Sequence, residues 1–504
     1  MLQWYQYRKG WNYMNYKRIL LRLLIPALTC LMLTIAVMPV FATNEKEEPM
    51  NPAPPMGFNT WYIYLDGFTE QTIKDVVTAL DRKGLKDLGY QYIQIDWGWC
   101  AGDRGYDVRN EAGHMVPDPR KFTSMNTLAN YLHRRGFKIG YYTDLGYEGC
   151  GKGIGSYGHY QEDIAQFLSW DADFIKIDSC GGHVDYANHD EAYRAVLDCI
   201  IEAKPERPVS ICICCGGGYG VTEFISDMAD DYVGDTIPFI YYRTAHDVSA
   251  SIPTVIWEDE TYGVLRSFDK AMAFPENSRP GCYFDLDALM LENNGLTAVE
   301  NQAYYTMWAI APSAMWLAVD VPNMKDETLE LISNPEVIAV NQDPLCNAAR
   351  LVREDTAGLQ VYSKVQTDDN GRKTRAVMLL NRSDSTADIA VSWSDIGLNG
   401  ACTVRDLWKR TDVDQNSDGY TASVPSHGVV LLKVTETAVT GTTEGTESLT
   451  DVTTDTTADA TDDITGEKEH PKGSAPIGII AAVVGAVAVI GGAIALLLKK
   501  KCKS

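Results

Sequence analysis

Six stretches of this sequence end a short apolar run in groups that can do acid–base, nucleophilic or hydrogen-bonding chemistry. One run ends near Asn59 and Trp61, and YQYIQI leads into Asp96-Trp97-Gly98-Trp99. FKIGYYTD ends in Tyr142 and Asp144, and FIKID ends in Lys176-Ile177-Asp178. Two later runs lead to Arg243 and Asp247, and to Asp285 and Asp287. Carboxylates beside tryptophans suit a sugar: the indole face packs on C–H surfaces, and carboxylate oxygens accept hydrogen bonds from hydroxyls. Hydrolysing a glycosidic bond needs two carboxyl groups across it. Asp178 and Asp247 are the pair selected here. Asp178 lies two residues beyond Lys176, whose ammonium favours an ionised, nucleophilic carboxylate. Asp247 sits in a loop four residues after Arg243, a setting suited to proton donation. A single Asp after a strand is also an ordinary helix N-cap; six such ends at one rim are what point to a site.

The elements that must position these groups alternate. Strand patterns at Tyr90–Asp96, Phe137–Asp144, Phe174–Asp178, Val209–Cys214 and Ile240–Thr244 are separated by helical patterns. In Thr69–Lys83, Ile73, Val76, Val77 and Leu80 follow the i, i+3, i+4, i+7 spacing, with Thr69 as N-cap and Gly84 as the stop. Regular βα alternation predicts a parallel sheet with right-handed crossovers, most simply a (β/α)8 TIM barrel over residues 43–345. The active site of such a barrel lies at the C-terminal ends of its strands. From 346 to 435 the helical periods vanish. Strand-like runs at Leu359–Val365, Arg375–Asn381, Ala387–Trp393 and Val429–Val434, separated by Asp, Asn and Gly turns, predict a small antiparallel β-sandwich.

The ends read as addresses. Lys17-Arg18, an apolar middle and Val40-Phe41-Ala42 form a secretory signal over residues 1–42, with Met14 as an alternative start and an uncleaved anchor as the alternative reading. Residues 436–476 form a stalk; 12 Thr and 10 acids within 436–470 leave too little apolar surface to offset chain entropy. Ile477–Leu498 carries no charge and, at 1.5 Å per residue, spans about 33 Å, enough for a bilayer core. Lys499, Lys500, Lys501 and Lys503 follow in a basic cytoplasmic tail at 499–504. The expectation is an ectodomain held on the outer face of a bacterial cell membrane by one C-terminal transmembrane helix. The 504 residues carry a formal charge of −24, and between the two ends 68 acids face 35 bases. Such a surface argues against nucleic acid as a partner, because phosphates need Lys and Arg. Twelve cysteines are present, and Cys212, Cys214 and Cys215 crowd one strand. Zinc binding there lacks a second pair of ligands at metal spacing.

Seven segments, in order, resemble glycoside hydrolase family 27, the melibiase or α-galactosidase family, over about residues 53–435. They are Pro54–Trp61; Gly84–Tyr90 with Ile95-Asp96; Gly140–Gly146 with Cys150; Trp170–Cys180; Tyr242–Asp247; Phe284–Asp287 with Leu296-Thr297; and Asn334–Pro344. Val404–Trp408 extends the resemblance into the sandwich. The resemblance implies a retaining α-glycosidase acting on an oligosaccharide or polysaccharide, with Asp178 as nucleophile and Asp247 as general acid/base. Trp61, Asp96, Tyr142, Lys176, Arg243 and Asp287 would line the sugar subsite. Cys150 and Cys180 would form a disulfide. No metal or organic cofactor is implied.

Two departures bear on the sugar. Where the family usually has a second aspartate after Asp96, this chain has Trp97, and where it commonly has Cys-Glu-Trp, this chain has Cys214-Cys215-Gly216. Two carboxylates that read galactose are thus absent, and a site that loses its hydrogen-bonding groups usually loses its substrate. The α-galactosidase activity is therefore the default expectation. The same mechanism on α-N-acetylgalactosaminides, β-L-arabinopyranosides or α-1,6-glucans stands beside it, as does a non-catalytic glycan-binding surface protein.

Overall fold

The computed structural model describes residues 53–100, 109–150, 153–181, 189–214, 221–416 and 418–437. The chain divides into one unit ending at Val439 and another of residues 440–504, and every described residue belongs to the first. The expected signal at 1–42, the apolar span at 477–498 and the lysine tail lie outside the described residues, as do Cys215 and all of the stalk beyond residue 437. Among the described residues no helix is long and apolar enough to cross a membrane.

Eight parallel strands form the first sheet: β1 (Met56–Asn59), β2 (Tyr90–Ile95), β3 (Lys138–Asp144), β4 (Phe174–Asp178), β5 (Ser210–Cys214), β6 (Ile240–Arg243), β7 (Cys282–Asp285) and β8 (Met315–Leu317). Their order is sequential, and β8 returns to pair with β1. The circle closes between β7 and β8 at a seam. There Phe284 and Ser313 form one bridge, the Ala314 amide donates to Phe284 O at 2.8 Å, and the Leu286 amide donates to the Ser313 hydroxyl at 3.0 Å. The helices that follow the strands are α1 (Glu70–Arg82), α2 (Met125–Arg134), α3 (Tyr160–Ser169), α4 (His189–Ala203), α5 (Val221–Tyr232), α6 (Val264–Met272) and α7 (Ala298–Ile310), with α8 (Asp326–Ile332) and α9 (Pro335–Asn341) after β8. The architecture is the expected (β/α)8 barrel.

Helix α1 shows how local signals fix an element. Ile73, Val76, Val77 and Leu80 are buried on one face. The Thr69 hydroxyl accepts from the Thr72 amide, and the Thr72 hydroxyl accepts from the Thr69 amide. Gly84, at φ +74°, turns the chain where an L side chain would be strained.

Alternation along the strands sorts the barrel into layers, because successive side chains point to opposite faces. In β4, Ile175 and Ile177 are fully buried on the helix side. Phe174 points into the barrel and packs with Tyr92 and Trp316 at ring separations of 5.7 and 5.5 Å. Tyr241, Phe239 and Tyr283 complete this aromatic floor. Two and four residues on from Phe174, the same inward face carries Lys176 and Asp178. The floor therefore lifts the polar groups of β4 to the mouth.

The sandwich has a six-stranded sheet in the order β14-β13-β16-β11-β10-β9 and a two-stranded layer β12-β15, all antiparallel. Its strands are β9 (Arg350–Glu354), β10 (Leu359–Asp369), β11 (Arg372–Asn381), β12 (Ala387–Ser392), β13 (Cys402–Asp406), β14 (Thr411–Asn416), β15 (Gly419–Val424) and β16 (Val429–Glu436). Along β11, Val377 and Leu379 join Ile389, Val391 and Trp393 between the two layers, whereas Ala376, Met378 and Leu380 join the core of the barrel. A bidentate pair, Arg405 to Glu336 at 2.6 and 2.7 Å, and the Trp408 indole N–H on the Thr306 hydroxyl at 3.0 Å also tie the two domains.

The close approach of β1 to β2 needs a glycine. A Cβ on Gly57 would lie 1.9 Å from Tyr92 O, a main-chain atom that cannot swing away. Gly57→Ala is expected to destabilise the protein by about 3 kcal/mol, the upper end for overpacking. Gly234→Ala, which meets nothing within 4 Å, should stay within about 0.5 kcal/mol of the parent. Thermal unfolding of the two variants checks this; equal midpoints would count against the β1–β2 register.

Candidate active site

The polar ends of the strands form two clusters at the barrel mouth. The first is built on β2, β3 and β4. Asp96 is buried, and its Oδ2 accepts from Asn59 Nδ2 at 3.0 Å, Gln94 Nε2 at 2.9 Å and Lys176 Nζ at 2.9 Å. Its Oδ1 takes the Trp97 amide at 2.8 Å. Lys176 also lies over the Tyr142 ring, 5.4 Å from its centroid. Burial alone would lower the Lys176 pKa, but the neighbouring Asp96 and Asp178 carboxylates help to hold it well above its ordinary value.

Asp178 ends β4, opposite Asp144 on β3 and Cys214 on β5. Its Oδ1 accepts from the Ser179 amide at 2.9 Å, and its Oδ2 lies 4.0 Å from Lys176 Nζ. The Lys176 ammonium thus sits closer to Asp96 than to Asp178. Burial raises the Asp178 pKa above the usual carboxylate range, with Lys176 and the Ser179 amide pulling it back only in part. Asp144 is pushed up to about 7, by burial first and by the charge of Asp178 second. It nonetheless accepts the amides of Gly146, Cys180 and Gly181 at 2.8, 2.8 and 3.3 Å, and so fastens the loop after β4 to the loop after β3.

Cys150 and Cys180 join the same two loops as a disulfide, with Cα atoms 5.4 Å apart. The Cys150 sulfur lies 3.7 Å from Asp178 Oδ2. Cys150, Asp178 and Cys180 bring three potential metal-ligand atoms within 4.8 Å of one another. The two sulfurs are bonded to each other, so neither is a thiolate ligand.

The second cluster is built on β6 and β7. Arg243, 4% exposed, donates through Nη2 to Asp247 Oδ1 at 2.8 Å, and its Nη1 lies 3.4 Å from Asp287 Oδ1. The Asp247 side chain is 47% exposed, against 11% for Asp178. Asp287 accepts the Tyr62 hydroxyl at 2.6 Å and the Val248 amide at 2.8 Å. Trp61 and Trp97 meet edge to face at 5.6 Å beside the first cluster. The buried Trp97 indole N–H has no hydrogen-bond partner among the described residues. A Cβ on Gly153 would lie 2.0 Å from that nitrogen, so the ring occupies space that only a glycine there leaves free.

Trp61, Asp96, Trp97, Tyr142, Lys176 and Asp178 are thus gathered around one side of the mouth, and Arg243, Asp247 and Asp287 around another. Sequence reasoning missed Gln94 and Tyr62. Gln94 was findable, being two residues before Asp96 on the same strand face. Tyr62 belongs to a single helical turn, Trp61–Tyr64, for which no periodic signal exists.

A model of the α-galactosidase A family matches residues 65–343, and one of the α-galactosidase C-terminal β-sandwich domain matches residues 356–434. The chain belongs to glycoside hydrolase family 27. It is accordingly a glycoside hydrolase. An α-galactosidase of Cyamopsis tetragonoloba is 32% identical over 393 residues, covering 77% of this chain and 88% of that one. The α-galactosidase A of Cellvibrio japonicus is 30% identical over 411 residues, covering 78% and 95%. The crystal structure of α-galactosidase I from Mortierella vinacea superposes with a TM-score of 0.67 at 30% identity, covering 77% of this chain and 98% of that one.

The disulfide closes a loop of sequence separation 30. By chain entropy such a loop is worth roughly 3–4 kcal/mol. Peptide mapping of this family 27 enzyme without reduction should recover the segments carrying Cys150 and Cys180 as one linked species. Changing both to serine should lower stability by about that amount. Two free thiols in the purified protein, kept without reductant, would contradict the arrangement of the loops after β3 and β4.

Proposed function

We propose that the enzyme is a retaining α-glycosidase, with Asp178 as nucleophile and Asp247 as general acid/base. Its default substrate is a terminal α-galactosyl residue of an oligosaccharide or polysaccharide. The observation that carries this reading is the contrast between the two carboxyl groups. Asp178 is enclosed, held by one amide and faced by one ammonium at 4.0 Å. Burial leaves its anion poorly solvated, which favours attack on a developing cation over remaining free. Asp247 is half exposed and steered by Arg243, open to the side from which a leaving group departs and a water enters. Double displacement then proceeds by attack of Asp178 on the anomeric carbon while Asp247 protonates the departing oxygen. Water, deprotonated by Asp247, hydrolyses the glycosyl ester. Trp61, Asp96, Tyr142 and Lys176 shape the subsite around the sugar.

A different sugar is the second reading, favoured by the Trp97 ring at the position where the family has an acid. An axial hydroxyl held by a charged acceptor gains about 1.5–3 kcal/mol, and an indole cannot supply that. The same experiment serves both readings. Purified wild-type, Asp178→Asn and Asp247→Ala proteins are assayed on aryl α-galactoside, α-glucoside, α-N-acetylgalactosaminide and β-L-arabinopyranoside. Asp178→Asn should abolish turnover, and the wild-type product should keep its anomeric configuration, with carboxyl groups about 5–5.5 Å apart. The acid limb of kcat/KM should lie above pH ~4, because burial raises the pKa of a group that must be deprotonated. An inverted product would exclude double displacement. A strong, exclusive preference for α-galactoside would exclude the second reading.

The export signal at 1–42 and the apolar span Ile477–Leu498 with its lysine tail support a place on the outer face of the cell membrane. The full chain should sediment with membranes and be released only by detergent, whereas a chain ending at residue 437 should be secreted. Recovery of the full chain in the soluble fraction would overturn the anchored arrangement.

A further inference from the structure

We propose that Asp287 is a positioning residue for the acid/base rather than a group that touches the sugar. Its carboxylate anchors Arg243 and the backbone beside Asp247, and so fixes where Asp247 delivers its proton. The proposal rests on the assignment of Asp247 as the acid/base.

Every polar atom of Asp287 is already engaged. Its amide donates to Asp285 Oδ1 at 2.9 Å, and its carbonyl accepts the Trp308 indole N–H at 2.7 Å. Its Oδ1 takes the Tyr62 hydroxyl at 2.6 Å, the Ala288 amide at 2.7 Å and Arg243 Nη1 at 3.4 Å, and its Oδ2 takes the Val248 amide at 2.8 Å. A carboxylate offers about four acceptor sites, so this one has little left for a sugar hydroxyl. It is also 3% exposed.

The backbone at Asp287 lies at φ +85°, a region that strains a residue other than glycine. Such a conformation persists only where its surroundings over-determine it, and here the side chain, amide and carbonyl are all held. The two things the carboxylate grips both lead to Asp247. Val248 is its chain neighbour. Arg243 donates to the Asp247 carboxylate through the guanidinium nitrogen that does not face Asp287. Arg243 therefore sits between a buried carboxylate held by several donors and a half-exposed one. Burial pushes the Asp287 carboxyl up to about 6 despite the opposing charge of Arg243. Tyr62, which donates its hydroxyl to Asp287, is itself a buried residue.

The test compares an unactivated α-glycoside with an aryl α-glycoside whose leaving group needs little protonation. Asp287→Asn, Tyr62→Phe, Asp247→Ala and the double variant Asp247→Ala/Asp287→Asn are measured on the preferred sugar, with thermal unfolding as the check on folding. Asp287→Asn should lower kcat on the unactivated glycoside by about 10²-fold and on the activated one by about tenfold less, with KM nearly unchanged. Tyr62→Phe should show the same leaving-group dependence in weaker form; it removes one donor from a buried acceptor and decides the matter if Asp287→Asn does not fold. The double variant should be within about twofold of Asp247→Ala alone, because residues acting as a unit are not additive. Equal losses on both substrates, a rise confined to KM, or additivity in the double variant would overturn the proposal. If Asp247→Ala itself shows no leaving-group dependence, the acid/base assignment fails. If it does and neither Asp287→Asn nor Tyr62→Phe follows it, only the positioning role fails.

Discussion

The Lys176 ammonium is the charge on which the barrel mouth depends. Asp96 and Asp178 face it, at 2.9 and 4.0 Å, in a site from which water is largely excluded. Arg243 stands in the same relation to Asp247 and Asp287. Buried charge is tolerated only where it is paired and hydrogen-bonded, and each of these cations serves two acids. Four carboxyl groups thus face two cations at the mouth. A site left with surplus negative potential suits a transition state in which a sugar ring carries positive charge.

The position of that ammonium is set by counting in twos. Phe174, Lys176 and Asp178 occupy alternate positions of β4, so one inward face carries floor, cation and carboxylate in turn. This much was legible in the sequence, since FIKID reads as a strand with a polar stripe, and the observed β4 has the expected bounds. The partner of the cation was not legible. Which acid an ammonium meets depends on the stagger between β2 and β4, which no local pattern encodes, and the nearer acid proved to be Asp96.

The same division holds elsewhere. Helix α1 was foreseen from its apolar spacing and from Thr69 as its N-cap, and differs only in that Lys83 is the C-cap rather than a member. Of the four sandwich strands not singled out in the sequence, β9 and β14 lie at the edges of their sheet, and RLVRE and TDVDQN lack the apolar alternation of a half-buried strand. Asp287 was seen as an acid after a strand and grouped with the sugar contacts. Its actual surroundings come from Tyr62 and from Arg243 and Val248, drawn from two parts of the chain far apart in sequence. Its positive φ also has no signature in a residue that is not glycine.

Strand β11 gives the sandwich a standing that the word appendage would miss. Its odd-numbered side chains, Val377 and Leu379, fill the sandwich interior, while the even-numbered Ala376, Met378 and Leu380 seal the flank of the barrel. One ribbon is thereby the wall of two rooms. A slip of a single residue would trade the two sets of side chains and spoil both at once. Evolution can neither shift the phase of this strand nor discard it without leaving the catalytic domain with an open apolar side.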